Sequence, residues 1–206
     1  MTDSVLDHLR ANHKRILSDL IAFASIPSVS SDAAYKGEMQ RAARWAVDQL
    51  TNAGPFNAQI IPTERHPLVY AEWLGAPGKP TILVYGHYDV QPPDPLDKWR
   101  SAPFKPEVRP HPVSNQRFDQ AELRSATPSP PAGRENSGAQ REELRLYARG
   151  VSDDKGPLLI PIKVAEAYFA TEGLLPVNVK FLIEGEEEIG SPSLTPFIRD
   201  HADLLE

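Results

Sequence analysis

The chain has 206 residues, 40% of them hydrophobic, a formal net charge of −6 and no cysteine. The apolar content supports a folded core, and the acidic balance argues against nucleic acid as a partner. Without thiols there are no disulfides and no thiolate metal sites, so any metal must be held by His, Asp and Glu.

The N-terminal stretch MTDSVLDHLRANHKRILSDL is charged and amphipathic, with no continuous apolar region. No secretory signal and no membrane span are expected, and a cytoplasmic protein is the default reading. Val5, Leu6, Leu9, Ile16, Leu17, Leu20 and Ile21 recur at helical spacing and predict one amphipathic helix over 3–25. Pro27 in SIPSVSSD breaks it. A second helix is expected over 36–53, with Ala42, Ala43, Trp45, Ala46, Val47 and Leu50 inward and Gly54-Pro55 as its stop. Three short strands follow in FNAQIIPT, LVYAEWLG and PTILVYG, the last two joined by the turn signal GAPGKP. TILVYG is nearly continuous and apolar, which predicts a strand covered on both faces.

Residues 110–143 change character, being rich in Pro, Ser, Gln, Arg and Glu with few large apolar side chains. Such a composition cannot offset its ordering entropy, so a disordered loop insertion is expected there. Patterning resumes with a helix over 157–172, a strand in VNVKFLIE and a short terminal helix over 193–204. Helices alternating with apolar strands predict an α/β layered domain.

Three polar clusters stand where strands or turns end. In YGHYDV, His87 and Asp89 are two apart and share a face of an extended segment. An acid beside a ligating His commonly fixes its ring, although a polar loop reads equally well from this pair alone. In ARGVSDDKGP, Asp153 and Asp154 stand between glycines before a helix, and taken alone they read best as an N-cap. The third cluster, FLIEGEEEIGS, runs an apolar strand into Glu184, Glu186, Glu187 and Glu188. A solvated acidic loop is the ordinary fate of such a run. Position counts against that fate, because open α/β sheets gather their ligand chemistry at the carboxyl ends of strands. Together His87, Asp89, Asp153, Glu187 and Glu188 make an oxygen-rich set with one imidazole. That set suits zinc, manganese or cobalt in a two-metal hydrolase, whose ions would also neutralise the crowded glutamates.

GHYDVQP, Trp99 with PFKPEVR, RGVSDDKGP and EGEEEIGS, together with SIPSVS, resemble one family in order and kind. It is the di-zinc metallopeptidase family of aminoacylases, glutamate carboxypeptidases, acetylornithine deacetylases and carnosine-type dipeptidases, with the dipeptidase branch nearest. The resemblance implies a three-layer α-β-α catalytic domain, of which residues 1–206 are the N-terminal portion. It implies two divalent metal ions, zinc first and manganese or cobalt as alternatives. His87 would ligate the first ion, Asp89 would orient His87, Asp153 would bridge, and Glu188 would ligate the second. Glu187 would be the general base toward a metal-bridging water, with Glu184 and Glu186 structural or solvated. The Asp153–Asp154 peptide is cis in relatives. The implied reaction is hydrolysis of a peptide or N-acyl amide bond in a small substrate.

The chain departs from that family in two places. An insertion stands where relatives have a short turn, and Ala148 replaces a glycine in LYARG. Relatives also continue into a lid and dimerisation domain and then return to the sheet with an aspartate and a histidine ligand. A second expectation therefore stands beside the first: a truncated, non-catalytic piece that binds metal weakly or acts only with a C-terminal part. His201 is expected to face solvent.

Overall fold

The computed structural model describes residues 2–111 and 143–205. The expected disordered insertion lies outside the described residues except at its margins, where Pro110, His111 and Glu143 belong to strands.

The first expected helix is two. Helix α1 is Asp3–Ala11 and α2 is His13–Ala24, with Asn12 between them at φ −97°, ψ 6°. The Asn12 side-chain amide donates to the His8 carbonyl at 2.9 Å. A short amide that competes for helix carbonyls in this way interrupts a periodicity that continues across it. Helix α3, Lys36–Ala53, buries Met39, Ala42, Ala43, Ala46 and Leu50. The strands are β1 (Asn57–Ile61), β2 (Leu68–Trp73), β3 (Thr81–His87), β4 (Glu107–His111), β5 (Glu143–Tyr147) and β6 (Asn178–Glu184). Helix α4 is Gly156–Glu172. The terminal helix is split into α5 (Leu194–Asp200) and α6 (Ala202–Leu205) around His201, which is exposed with its ring against Phe197.

Four strands form one sheet in the order β1-β2-β6-β3. The first two pairings are antiparallel, and β3 runs parallel to β6. Alternation along the strands divides the layers. Val69, Ala71, Phe181 and Ile183 face α3 and α4, where Phe56 meets the rings of both Phe169 and Phe181 edge-on. Leu68 and Leu182 face the opposite way, against Phe197, Leu194, Leu204 and Leu205. Helices on both faces make this the expected three-layer α-β-α arrangement. By itself, Glu107–Tyr147 forms a second compact unit in which β4 pairs antiparallel with β5, from Glu107 opposite Tyr147 to His111 opposite Glu143.

One strand expectation is overturned. β3 is not covered on both faces; it is the edge of the sheet, with Ile82 49%, Leu83 44% and Tyr85 50% exposed. An apolar run reports a strand suited to burial, and the partner that would bury it is a long-range property that the run does not encode. A groove lined by Ile82, Val84, Ile160, Val164 and Val179 continues that apolar surface onto α4.

Because β3 is parallel to β6, their carboxyl ends lie together, with His87 opposite Glu184. The loops that follow these two strands, and the turn that precedes α4, therefore open on one edge of the sheet.

Candidate metal centre

His87 is the last residue of β3 and is 5% exposed. Its Nδ1 faces the Asp89 carbonyl oxygen at 3.1 Å and the Asp89 Oδ1 at 3.3 Å. Its Nε2 faces Asp153 Oδ1 at 3.1 Å and Glu187 Oε2 at 3.9 Å. Burial by itself would push this imidazole down, but the bond to Asp89 and the charges of Asp89 and Asp154, with Asp153, outweigh it and raise the pKa to about 9.

Asp89 does more than orient His87. It is fully buried, and it accepts the Glu187 backbone N–H at Oδ1 (3.3 Å) and the Glu188 backbone N–H at Oδ2 (3.1 Å). One carboxylate thus fixes the imidazole from one strand and the glutamate loop from another. A buried carboxylate with several N–H donors is a stiff anchor.

Asp153 belongs to the turn Val151–Lys155, with non-helical φ −142°, ψ 103° and a cis peptide to Asp154. Its side chain is 79% exposed. Asp154 points inward and accepts the His87 backbone N–H at 3.1 Å. Burial raises the Asp154 pKa, with the His87 N–H and charge opposing and Asp153 adding to the rise. Gly86 makes this approach possible, since a Cβ there would lie 2.7 Å from Asp154 Oδ2 and 2.9 Å from Leu158 Cδ1.

The glutamates divide by environment. Glu184 and Glu186 are buried, at 0% and 1% exposure, so neither is solvated. Glu184 Oε1 accepts from Tyr85 Oη at 2.5 Å and Ser191 Oγ at 2.8 Å, and burial is the main cause of its raised pKa. Glu186 accepts from the backbone N–H groups of His66 and Ser193 and from Ser193 Oγ, tying the start of β2 to the glutamate loop. Glu187 and Glu188 lie in a short helical turn, Glu187–Ile189. Gln91 Nε2 donates to Glu188 Oε2 at 2.6 Å.

His87, Asp153 and Glu188 each offer a ligand atom within 4.8 Å of the others. The structure thus brings together the three expected ligands, with Asp89 beneath them and Glu187 beside His87. The donor chemistry, one imidazole whose other nitrogen is already engaged and two carboxylates, fits a divalent cation. Gln91 was not assigned a role from sequence, and Asp154 was read only as part of an N-cap, not as the acceptor of the His87 backbone N–H. For Asp154 the available signal was Gly86, a glycine in a strand that marks a close approach.

A profile for peptidase family M20/M25/M40 matches residues 126–205. The Cys-Gly metallodipeptidase DUG1 of Candida albicans is 31% identical over 86% of this chain and 33% of its own length. The chain is related to the M20/M25/M40 peptidases. The solved structure of the di-peptidase Dug1p from Saccharomyces cerevisiae superposes with a TM-score of 0.73 at 29% identity, over 97% of this chain and 38% of that one. Human carnosine dipeptidase 1 gives a TM-score of 0.73 at 28% identity, over 97% and 37%. The chain spans about a third of the length of the curated relatives it matches. Among the described residues no helix is long and apolar enough to cross a membrane.

Proposed function

We propose that this chain is the amino-terminal portion of the catalytic domain of a metal-dependent dipeptidase, acting on peptide or N-acyl amide bonds in small substrates. The convergence of His87, Asp153 and Glu188 within 4.8 Å, from three separate parts of the chain, carries the reading. The dipeptidase names of the relatives supply the substrate class.

In this reading His87 and Asp153 would hold one divalent ion, and Asp153 and Glu188 would hold the second. When bound, the ions lower the pKa of water and polarise the scissile carbonyl. Asp89 keeps the His87 ring turned with Nε2 toward the site and holds the Glu187 amide in place. Glu187, half-exposed and beside His87, takes a proton from the attacking water and returns it to the leaving amine. Gln91 restrains the Glu188 carboxylate.

Two protein ligands per ion fall short of the three usual for catalytic zinc. The apolar edge of β3 also supports a need for further polypeptide to cover it. Activity is therefore assigned to a longer assembly, and the 206 residues alone bind metal without significant turnover.

The test is calorimetric titration of the purified chain with zinc or manganese, beside a dipeptide panel. Binding that disappears in H87A and E188A supports the site, and binding indifferent to both overturns it. Metal-dependent turnover that is lost in E187A would refute the argument from ligand number.

A further inference from the structure

Lys155 is 0% exposed and among the largest fully buried side chains of the described residues. Its Nζ is met by two backbone carbonyls, Ile26 O at 2.7 Å and Phe23 O at 3.2 Å, and lies 5.0 Å above the Phe23 ring. The other buried lysine of this region, Lys163 on α4, is held differently. It pairs with the carboxylates of Asp19 and Glu166 at 2.7 and 2.9 Å. Lys163 is an ordinary ion pair between helices, whereas Lys155 fastens one backbone segment to another.

The segment that Lys155 grips leads to the site. Two residues beyond Ile26, the Ser28 hydroxyl donates to the Tyr88 carbonyl at 2.6 Å, and the Ser28 carbonyl accepts the Val90 N–H at 2.9 Å. Val29 and Val90 form a parallel bridge. Asp89 lies between these two anchored residues. On its other side Lys155 is two residues from Asp153, and its own N–H closes the turn on the Gly150 carbonyl at 3.0 Å. Gly150 is held at φ +83°, and a Cβ there would lie 2.6 Å from Val90 Cγ1 and 3.3 Å from Lys155 Cδ. Residues 26–29 are thus a strut bonded to the His87–Asp89 loop at one end and to the Asp153 turn at the other.

We propose that Lys155 is a positioning residue for the divalent-cation site, setting the place of Asp153 relative to His87 through the carbonyls of Phe23 and Ile26. The inference rests on the metal site proposed above. It does not depend on the charge of the lysine, because a neutral amine still has two N–H donors for the two carbonyls.

The experiment compares the 206-residue chain with K155M, K155Q, K163M and H87A by manganese titration and thermal melting. Methionine fills the volume but gives the carbonyls no donor, and K155M is expected to bind manganese about 10- to 100-fold more weakly, the effect typical of losing a partner behind a metal ligand. K163M leaves two carboxylates without their lysine, and it is expected to melt earlier with its manganese affinity unchanged. K155Q keeps a donor, recovers part of the affinity, and carries the test if K155M does not fold. Without metal, exchange of the His87 amide, which is bonded to Asp154, is expected to quicken in K155M but not in K163M. Wild-type affinity in K155M, or affinities that merely follow melting temperature across K155M and K163M, would overturn the positioning role. If H87A binds manganese as well as wild type, the metal site itself is wrong and this inference falls with it.

Discussion

Replacing Asp89 by Asn tests the centre of the site with almost no change of volume. Asp89 is fully buried, and its two oxygens separately accept the N–H groups of Glu187 and Glu188, with His87 Nδ1 at 3.3 Å from Oδ1. An asparagine oxygen can keep one of the amides. Its NH2 group then confronts the other, donor against donor. A buried N–H without an acceptor costs about 1–3 kcal/mol, and losing the charge on the surviving bond costs about 1 more. A total of about 2–4 kcal/mol lowers the melting temperature of a domain of this size by about 4–16 °C. Because His87 loses the carboxylate charge beside Nδ1 and the glutamate loop loses one of its two amide bonds, metal affinity should fall about 10- to 100-fold. Thermal melts without metal, followed by calorimetric titration with manganese, measure both effects. A D89N chain that melts with wild type and binds manganese equally well would refute the reasoning. A lowered melting temperature with unchanged affinity would show that Asp89 holds the loop without setting the ligand geometry.

The metal-free chain should show opposed pH dependences. The His87 pKa, raised to about 9, gives stability that is complete below about 6.5 and lost as pH rises through 9. Burial pushes the Lys155 pKa down to about 7, so the unfolded chain binds the extra proton between about 7 and 10.5 and stability rises with pH there. Between pH 7 and 9 the two slopes nearly cancel; urea denaturation should show stability falling with pH in K155M and rising in H87Q, and parallel slopes in the two variants would contradict the assignment. Gly86→Ala should cost about 1–3 kcal/mol, because its Cβ meets Asp154 Oδ2 and Leu158, and should quicken exchange of the His87 amide. Deleting 112–142 and joining His111 to Glu143 through a two-residue Asn-Gly turn should leave the melting temperature within the range of a surface change, about 0.5 kcal/mol, since those residues already face each other across the β4–β5 ladder. Glu186→Ala should lower the melting temperature through loss of the acceptor for His66 and Ser193, as differential scanning calorimetry would report.

Periodicity and punctuation located the elements in this sequence. The alanine-rich face of 36–53 became α3, the apolar runs became β2, β3 and β6, and GHYD, SDDKG and EGEEE became strand ends and turns at one edge of the sheet. These features are legible because each depends on neighbours within a few residues along the chain. The separate pieces α1 and α2 were not legible, because the apolar periodicity runs on across Asn12, whose side chain bonds the His8 carbonyl at the break. The family resemblance set Glu187 and Glu188 apart from Glu184 and Glu186 in EGEEE, but only packing gave the partners: Glu184 against Tyr85, Glu186 against His66, Glu188 against Gln91. The same holds for β3, whose apolar run is consistent with a covered strand yet lies at the sheet edge, and for Lys155, whose carbonyl partners are more than a hundred residues away. Local patterns fix what a segment becomes; which segments meet, and therefore which carboxylate is buried, paired or left open to a cation, is decided by contacts that exist only once the chain has closed on itself.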